Sequence, residues 1–259
     1  MIVLTNDDGI FSPGIRSLGK CLRSAGIDVV IVAPSQEMSG SGMSITLSKS
    51  IEYVKMDLDG CRAYSVRGTP ADCVLLSMNI LSPGGIDAVV SGTNAGINAG
   101  YGIIFNSGTM SAALLASMLG LPSFAFSQFV TAENRNRLET YEKGGRIASR
   151  IVSDFLNSSK RVVGMISVNF PDKVDENTGI VEVPFSRFPL YRREIIFNYR
   201  TEKMGSFQIV PVQEIPEISG MVDDISAVLH SGLISMTKIP IAGETAMRPE
   251  NKILTGEEP

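Results

Sequence analysis

"MIVLTNDDGIFSPGIRSLGKCLRSAGIDVVIVAP", residues 1 to 34, reads as strand, polar loop, helix and strand, and this unit decides the fold class. Residues 1 to 5 form a compact apolar strand. In the next segment Ile15, Leu18, Cys21 and Leu22 fall on one helical face. Ser12 stands at the N-cap position, Pro13 at the first helical position and Gly26 at the stop. "DVVIVAP" at 28 to 34 is apolar almost throughout, as expected of a parallel strand with both faces covered. Parallel neighbours joined by a helix form a right-handed crossover unit.

The alternation continues outward. "TPADCVLLSMNIL" opens on Thr69 and Asp72 at capping-box spacing around Pro70. "GIDAVVSG" predicts a strand, "SGTMSAALLASMLG" a helix of small residues, "LPSFAFS" a strand and "RLETYEKGGRIASRIVSDFL" a long amphipathic helix. Residues 1–170 are therefore expected to form a doubly wound, mostly parallel α/β core. Beyond Asn169 the runs "IVEVPFSRF", "REIIFNYR" and "SFQIVPV" suggest a β-hairpin extension, and "DDISAVLHSGLISMTKIP" returns a helix and a strand to the core. Residues 171–259 form this C-terminal extension.

Bulk properties narrow the function. The chain has 259 residues, 44% of them hydrophobic and 19% charged, enough to bury a sizeable core. A net charge of −4 argues against nucleic acid or an anionic membrane as the main partner and favours a small-molecule site. The three cysteines, Cys21, Cys61 and Cys73, share no metal-ligand spacing, and no apolar leader precedes the first strand. The expected compartment is the cytoplasm. Ala88 to Ala132 carries no charge, but asparagines, glycines and Pro122 break it, so it reads as buried core rather than a membrane span.

In open α/β sheets ligands gather outside the carboxyl ends of the strands. The loops there are "TNDDGIFSPG" (5 to 14), "APSQEMSGSGMSIT" (33 to 46) and "SGTNAGINAGYG" (91 to 102), followed by "NSGT" (106 to 109) at a helix start. An isolated Asp near a helix start is commonplace. Two adjacent ones, Asp7 and Asp8, repel each other unless a cation offsets them. The only histidine, His230, is distant in sequence and reads as structural or exposed, so a zinc site is not indicated. A hard oxygen site for one magnesium or manganese ion fits better. The glycine-rich loops and hydroxyls beside a helix N-terminus are suited to hold a phosphate. Dinucleotide-binding, P-loop and nucleophile-elbow motifs are all missing.

"TNDDGIFSPGI", "VAPSQEMSGSGMSIT", "VRGTPADCV", "VVSGTNAGINAG" and "NSGTMSAA", in that order, resemble the stationary-phase survival protein SurE family of metal-dependent nucleotidases. "ISVNFP" and "DDISAVLHSGLISMTKIP" resemble its C-terminal part. The resemblance implies a Rossmann-like core and hydrolysis of nucleoside 5'- and 3'-monophosphates, extending to short polyphosphate. It implies metal ligation by Asp7, Asp8, Ser39 and Asn94, and a phosphate surrounded by Gly40, Asn98, Ser107, Gly108 and Thr109. Asp8 would orient or deprotonate the attacking water, and Asp7 would serve mainly as a ligand. The family's hairpin reaches a neighbouring subunit, which implies a homodimer or homotetramer. Thr93, Asn106 and Met43 depart from the family's usual residues, and Thr93 and Asn106 are expected to add hydrogen bonds near the phosphate.

Two other functions share some of these features. A metal-dependent nucleotide-sugar transferase would want an acceptor domain, which is not visible. A non-catalytic nucleotide-binding module would not need both aspartates and the full set of oxygen ligands.

Overall fold

The computed structural model describes residues 1–81, 85–158, 164–200, 204–213 and 223–240. The opening unit forms as expected: β1 (Ile2–Thr5), α1 (Pro13–Ser24) and β2 (Val29–Pro34). Ser12 occupies the N-cap position, yet its hydroxyl caps nothing; it accepts a bond from Asn6 Nδ2 at 2.8 Å and so braces the aspartate loop. Cys21 is only half-buried at the edge of the helix's apolar face.

β3 (Tyr53–Leu58) and β4 (Cys61–Val66) form a hairpin that is not among the elements expected from the sequence. Its signal was the Asp59–Gly60 turn, where both residues take positive φ, flanked by alternating residues. Then follow α2 (Pro70–Ile80), β5 (Ala88–Ala95), α3 (Gly108–Met118), β6 (Ser123–Gln128), α4 (Glu142–Asn157) and β7 (Met165–Phe170). The Thr69–Asp72 capping box is present in both directions.

The described C-terminal elements are β8 (Ile180–Glu182), β9 (Tyr191–Arg200), β10 (Gly205–Gln213), α5 (Asp224–Leu229) and β11 (Ile234–Ile239). The main sheet runs β3-β4-β2-β1-β5-β6-β7-β11-β8. The β4-β2-β1-β5-β6-β7 stretch is parallel throughout and reverses its winding at β1. This is the doubly wound Rossmann-like arrangement. β11 pairs antiparallel with β7, and β8 pairs parallel with β11. Of the three runs expected in the hairpin, the first therefore contributes β8 to the main sheet, and only β9 and β10 form the two-stranded hairpin. The final stretch, 241–259, lies outside the described residues.

Side-chain alternation explains the layers. Ile2 and Leu4 of β1 join Ile15, Leu18 and Leu22 of α1 and Ile147 and Val152 of α4 in one core. Val3 points the other way, into a second core with Cys73 and Val74 of α2 and Ala112 and Ala116 of α3. With both faces covered, the carboxyl edge is where loops from neighbouring strands converge. Among the described residues, no helix is long and apolar enough to cross a membrane.

Candidate active site

The site lies at the winding reversal between β1 and β5. Their register ends with Thr5 opposite Ser91, so the aspartate loop and the end of β5 leave the sheet side by side. The Ala95 N–H donates to Asp8 Oδ2 at 2.9 Å, which ties the two strand ends together. Asn94 Nδ2 donates to the Gly96 carbonyl at 2.6 Å, leaving Oδ1 as the free acceptor of that amide.

Asp7 is buried, only 4% exposed. Its carboxylate receives the Thr109 hydroxyl and backbone N–H groups of Gly108 and Thr109, at the start of α3. A Cβ on Gly108 would lie 2.7 Å from Asp7 Cβ, so only glycine allows the helix to approach this closely. Burial pushes the Asp7 carboxyl above the usual range, against the Thr109 and Gly108 hydrogen bonds. Asp8 is pushed up to about 7, by burial first, then by the neighbouring charge of Asp7.

The third strand contributes the loop after β2. The Met38 N–H donates to the Asp7 carbonyl at 2.7 Å, and the Gly42 N–H to the Asn106 carbonyl at 3.2 Å. Gly42 has φ +56, and a Cβ there would meet the Phe105 carbonyl at 2.6 Å. The far end of this loop is held by α2: Asp72 accepts from the Thr46 N–H and the Thr46 hydroxyl, both at 2.8 Å. Sequence reasoning assigned Asp72 to its helix cap and missed this second role, because a side chain's spare acceptors leave no local pattern.

The expected residues thus divide. Asp7, Asp8, Asn94, Ser107, Gly108 and Thr109 converge on the edge of β1, β5 and α3. Ser39 and Gly40 lie on the adjoining loop, both exposed, with the Ser39 hydroxyl donating to Glu37 at 2.9 Å. Thr109 spends its hydroxyl on Asp7, while Ser107 Oγ accepts the Met110 N–H at 3.2 Å as the N-cap and retains its own proton to donate. Asn98 is in the wall: its N–H donates to Asn169 Oδ1 at 2.7 Å and its Nδ2 to Ser127 at 2.8 Å. Thr93 is fully buried, and a Cβ on Gly14 of α1 would lie within 1.9 Å of its carbonyl oxygen. It therefore packs under α1 rather than facing a phosphate. Asn106 is exposed and bonds the Gly102 carbonyl at 2.9 Å. His230 is exposed at the end of α5.

Two vicinal carboxylates, Asp7 buried and Asp8 partly so, with an amide oxygen and nearby hydroxyls make a hard, anionic donor set. Burial first, and then the adjacent Asp7 charge, disfavour the charged form of Asp8, and a divalent cation is a group these carboxylates fit. No cluster of three or more His, Cys, Asp or Glu side chains occurs among the described residues, so a nitrogen- or sulfur-rich centre is not formed there.

A family model described as Survival protein SurE matches residues 2–188. The chain belongs to the SurE family. It is 32% identical to the 5'-nucleotidase SurE of Thermofilum pendens, with 96% of this chain and 94% of the relative covered. It is 39% identical to the 5'-nucleotidase SurE of Deinococcus radiodurans over 72% of this chain and 68% of the relative. The crystal structure of the SurE protein from Aquifex aeolicus superposes with a TM-score of 0.75 at 32% identity, covering 92% of both chains. The SurE match takes in every element of the site described above, from β1 through α3.

Proposed function

We propose that the chain is a divalent-cation-dependent nucleotidase that hydrolyses nucleoside 5'-monophosphates to nucleoside and phosphate. The observation that carries this reading is the Asp7–Asp8 pair tied to the end of β5 through Ala95 and to the start of α3 through Thr109, in a chain whose relatives are named 5'-nucleotidases. Activity on 3'-monophosphates and short polyphosphate belongs to the same proposal, since the site's chemistry addresses the phosphoryl group. Magnesium or manganese, one ion per subunit, would be held by Asp7, Asp8, Asn94 and Ser39. Ser39 would have to exchange its hydrogen bond to Glu37 for the ion. When bound, the ion supplies positive charge and Lewis acidity.

The residues of the chain divide the remaining work. Asp7, fixed by Thr109 and the α3 backbone, is the rigid anchor. Asp8 has Oδ2 fixed by Ala95, which leaves Oδ1 to orient the attacking water and accept its proton. The Ser107 hydroxyl, next to the α3 N-terminus, donates to an equatorial phosphoryl oxygen. Gly40 has open space about its Cα and lets the phosphate approach the backbone. The exposed rings of Tyr101 and Phe105 offer apolar surface to the base at the rim.

The chain would also assemble as a homodimer or homotetramer through β9 and β10. Ile195 and Ile196, adjacent and therefore on opposite faces, are both about half exposed, as are Phe197, Tyr199, Phe207 and Ile209. A two-stranded hairpin with apolar residues on both faces is marginal alone in water.

The deciding experiment is phosphate release from a panel of nucleoside 5'- and 3'-monophosphates, with EDTA and then with manganese or magnesium restored. Loss with EDTA and recovery with metal support the reading. No release under any metal refutes it, and full metal-dependent activity of Asp7→Asn refutes the assignment of Asp7.

A further inference from the structure

We propose that Arg135, on the loop following β6, is a substrate-binding residue whose guanidinium grips the phosphate. This rests on the nucleotidase reading for its biological meaning, although the phosphate site can be tested without it.

The loop is on the same edge of the sheet as the aspartates. β6 runs parallel to β5, pairing Ala95 with Gln128, and the chain passes from Gln128 directly toward Arg135. A continuous series of hydrogen bonds joins the two places. The Ala95 N–H reaches Asp8 at 2.9 Å, the next N–H, of Gly96, reaches the Gln128 carbonyl at 2.8 Å, and Gln128 Nε2 reaches the Thr140 carbonyl at 2.8 Å. From the adjoining residue, the Tyr141 hydroxyl donates to the carbonyl of Arg135 itself, also at 2.8 Å.

The loop is also built to hold one shape. Asn134 Oδ1 accepts the Thr131 N–H at 2.8 Å, and the Arg135 N–H closes the same turn on the Thr131 carbonyl at 3.0 Å. The Thr140 hydroxyl donates to the Asn134 carbonyl at 2.9 Å. Tyr141, the anchor, is only 1% exposed. The backbone beneath Arg135 is thus clamped, while the side chain is exposed and makes no ion pair with a carboxylate among the described residues.

Electrostatics agrees with the placement. The guanidinium lies close enough to favour the charged form of Asp8. Burial and the Asp8 charge push Tyr141 up to about 12, with Arg135 opposing, so all three groups share one field. Glu37 adds a further negative charge near Asp8. A phosphate dianion entering a mouth with three carboxylates meets repulsion that a single divalent ion offsets only in part. An arginine on a rigid loop, without an ion pair among the described residues, supplies what is missing, and its planar fork suits two phosphate oxygens at once.

The test compares wild type, Arg135→Gln, Arg135→Lys and Arg137→Gln, a second exposed arginine on the same loop. Each is supplied with Mn2+ and titrated calorimetrically with inorganic phosphate, and each is assayed on adenosine 5'-monophosphate. Arg135→Gln should weaken phosphate binding and raise KM about ten- to a hundredfold with kcat much less affected, as for loss of a charge-assisted contact made in ground and transition states alike. Arg135→Lys should recover part of the loss, and Arg137→Gln should match wild type. Unchanged phosphate affinity and KM in Arg135→Gln overturn the proposal, as does an equal loss in Arg137→Gln or failure of wild type to bind phosphate. If no variant, wild type included, hydrolyses a nucleotide while Arg135→Gln still loses phosphate affinity, the nucleotidase reading fails and the phosphate site stands.

Discussion

Thr109→Val isolates the hydrogen bond that fastens α3 to the aspartate loop. Thr109 is fully buried and donates to Asp7 Oδ1, and valine replaces the hydroxyl with a methyl of similar size, so no sizeable cavity opens. A hydrogen bond to a charged group is worth about 1.5–3 kcal/mol. In a protein of this size, where 1 kcal/mol moves Tm by about 2–4 °C, the variant should melt about 3–12 °C lower. The loss should also depend on pH. Thr109 is the largest influence holding the Asp7 carboxyl down against burial, so its removal raises that carboxyl further. A protonated Asp7 needs the donor less, and the destabilisation should be greater at pH 8 than at pH 5. The assay is thermal and urea denaturation of EDTA-treated wild type, Thr109→Val and Thr109→Ser at both pH values. Thr109→Ser keeps the donor and should lose only about 0.8 kcal/mol for the missing methyl. A valine variant within about 0.5 kcal/mol of wild type at both pH values, or a serine variant as unstable as valine, would refute the reasoning.

Asp224 is fully buried, accepts the Gly100 and Ser186 N–H groups at 2.7 Å each, and is pushed up to about 6, chiefly by burial. Because its folded pKa lies above the unfolded value of 3.8, its proton-linked contribution is present below about pH 4 and lost as pH rises through about 6. A rise from 3.8 to about 6 corresponds to about 3 kcal/mol, so the wild-type stability curve should fall relative to Asp224→Asn across that window, and parallel curves would count against a raised Asp224. Gly14→Ala would set a Cβ 1.9 Å from the Thr93 carbonyl oxygen and should cost about 3 kcal/mol or more in urea denaturation, since the backbone itself must move; a neutral result would mean that α1 can shift freely. Phe207→Lys, on the exposed hairpin, should shift the mass measured by light scattering toward the monomer while leaving the melting of isolated subunits unchanged, and an unaltered mass would remove the hairpin from the interface.

Some of this protein is determined within a few residues of chain. The apolar runs of β1 and β2, the helical face of α1, the Pro13 start and the Thr69–Asp72 cap obey rules of period and capping that a short window contains. Two adjacent aspartates after a strand are likewise legible as a pair of like charges without help from the fold. The placement of functional groups is different. Thr109 meets Asp7 across 102 positions, Ala95 meets Asp8 across 87, and Asp224 meets Gly100 across 124. Asn98 and Thr93 looked like loop residues facing a phosphate, yet packing against Ser127 and beneath α1 turned both into the wall. The "IVEVPFSRF" run had the composition of a hairpin strand, but a free edge beyond β11 took its first residues into the main sheet. Local propensity chooses which element forms, whereas the partner of a strand edge or a hydroxyl depends on which surfaces the packed layers bring within reach.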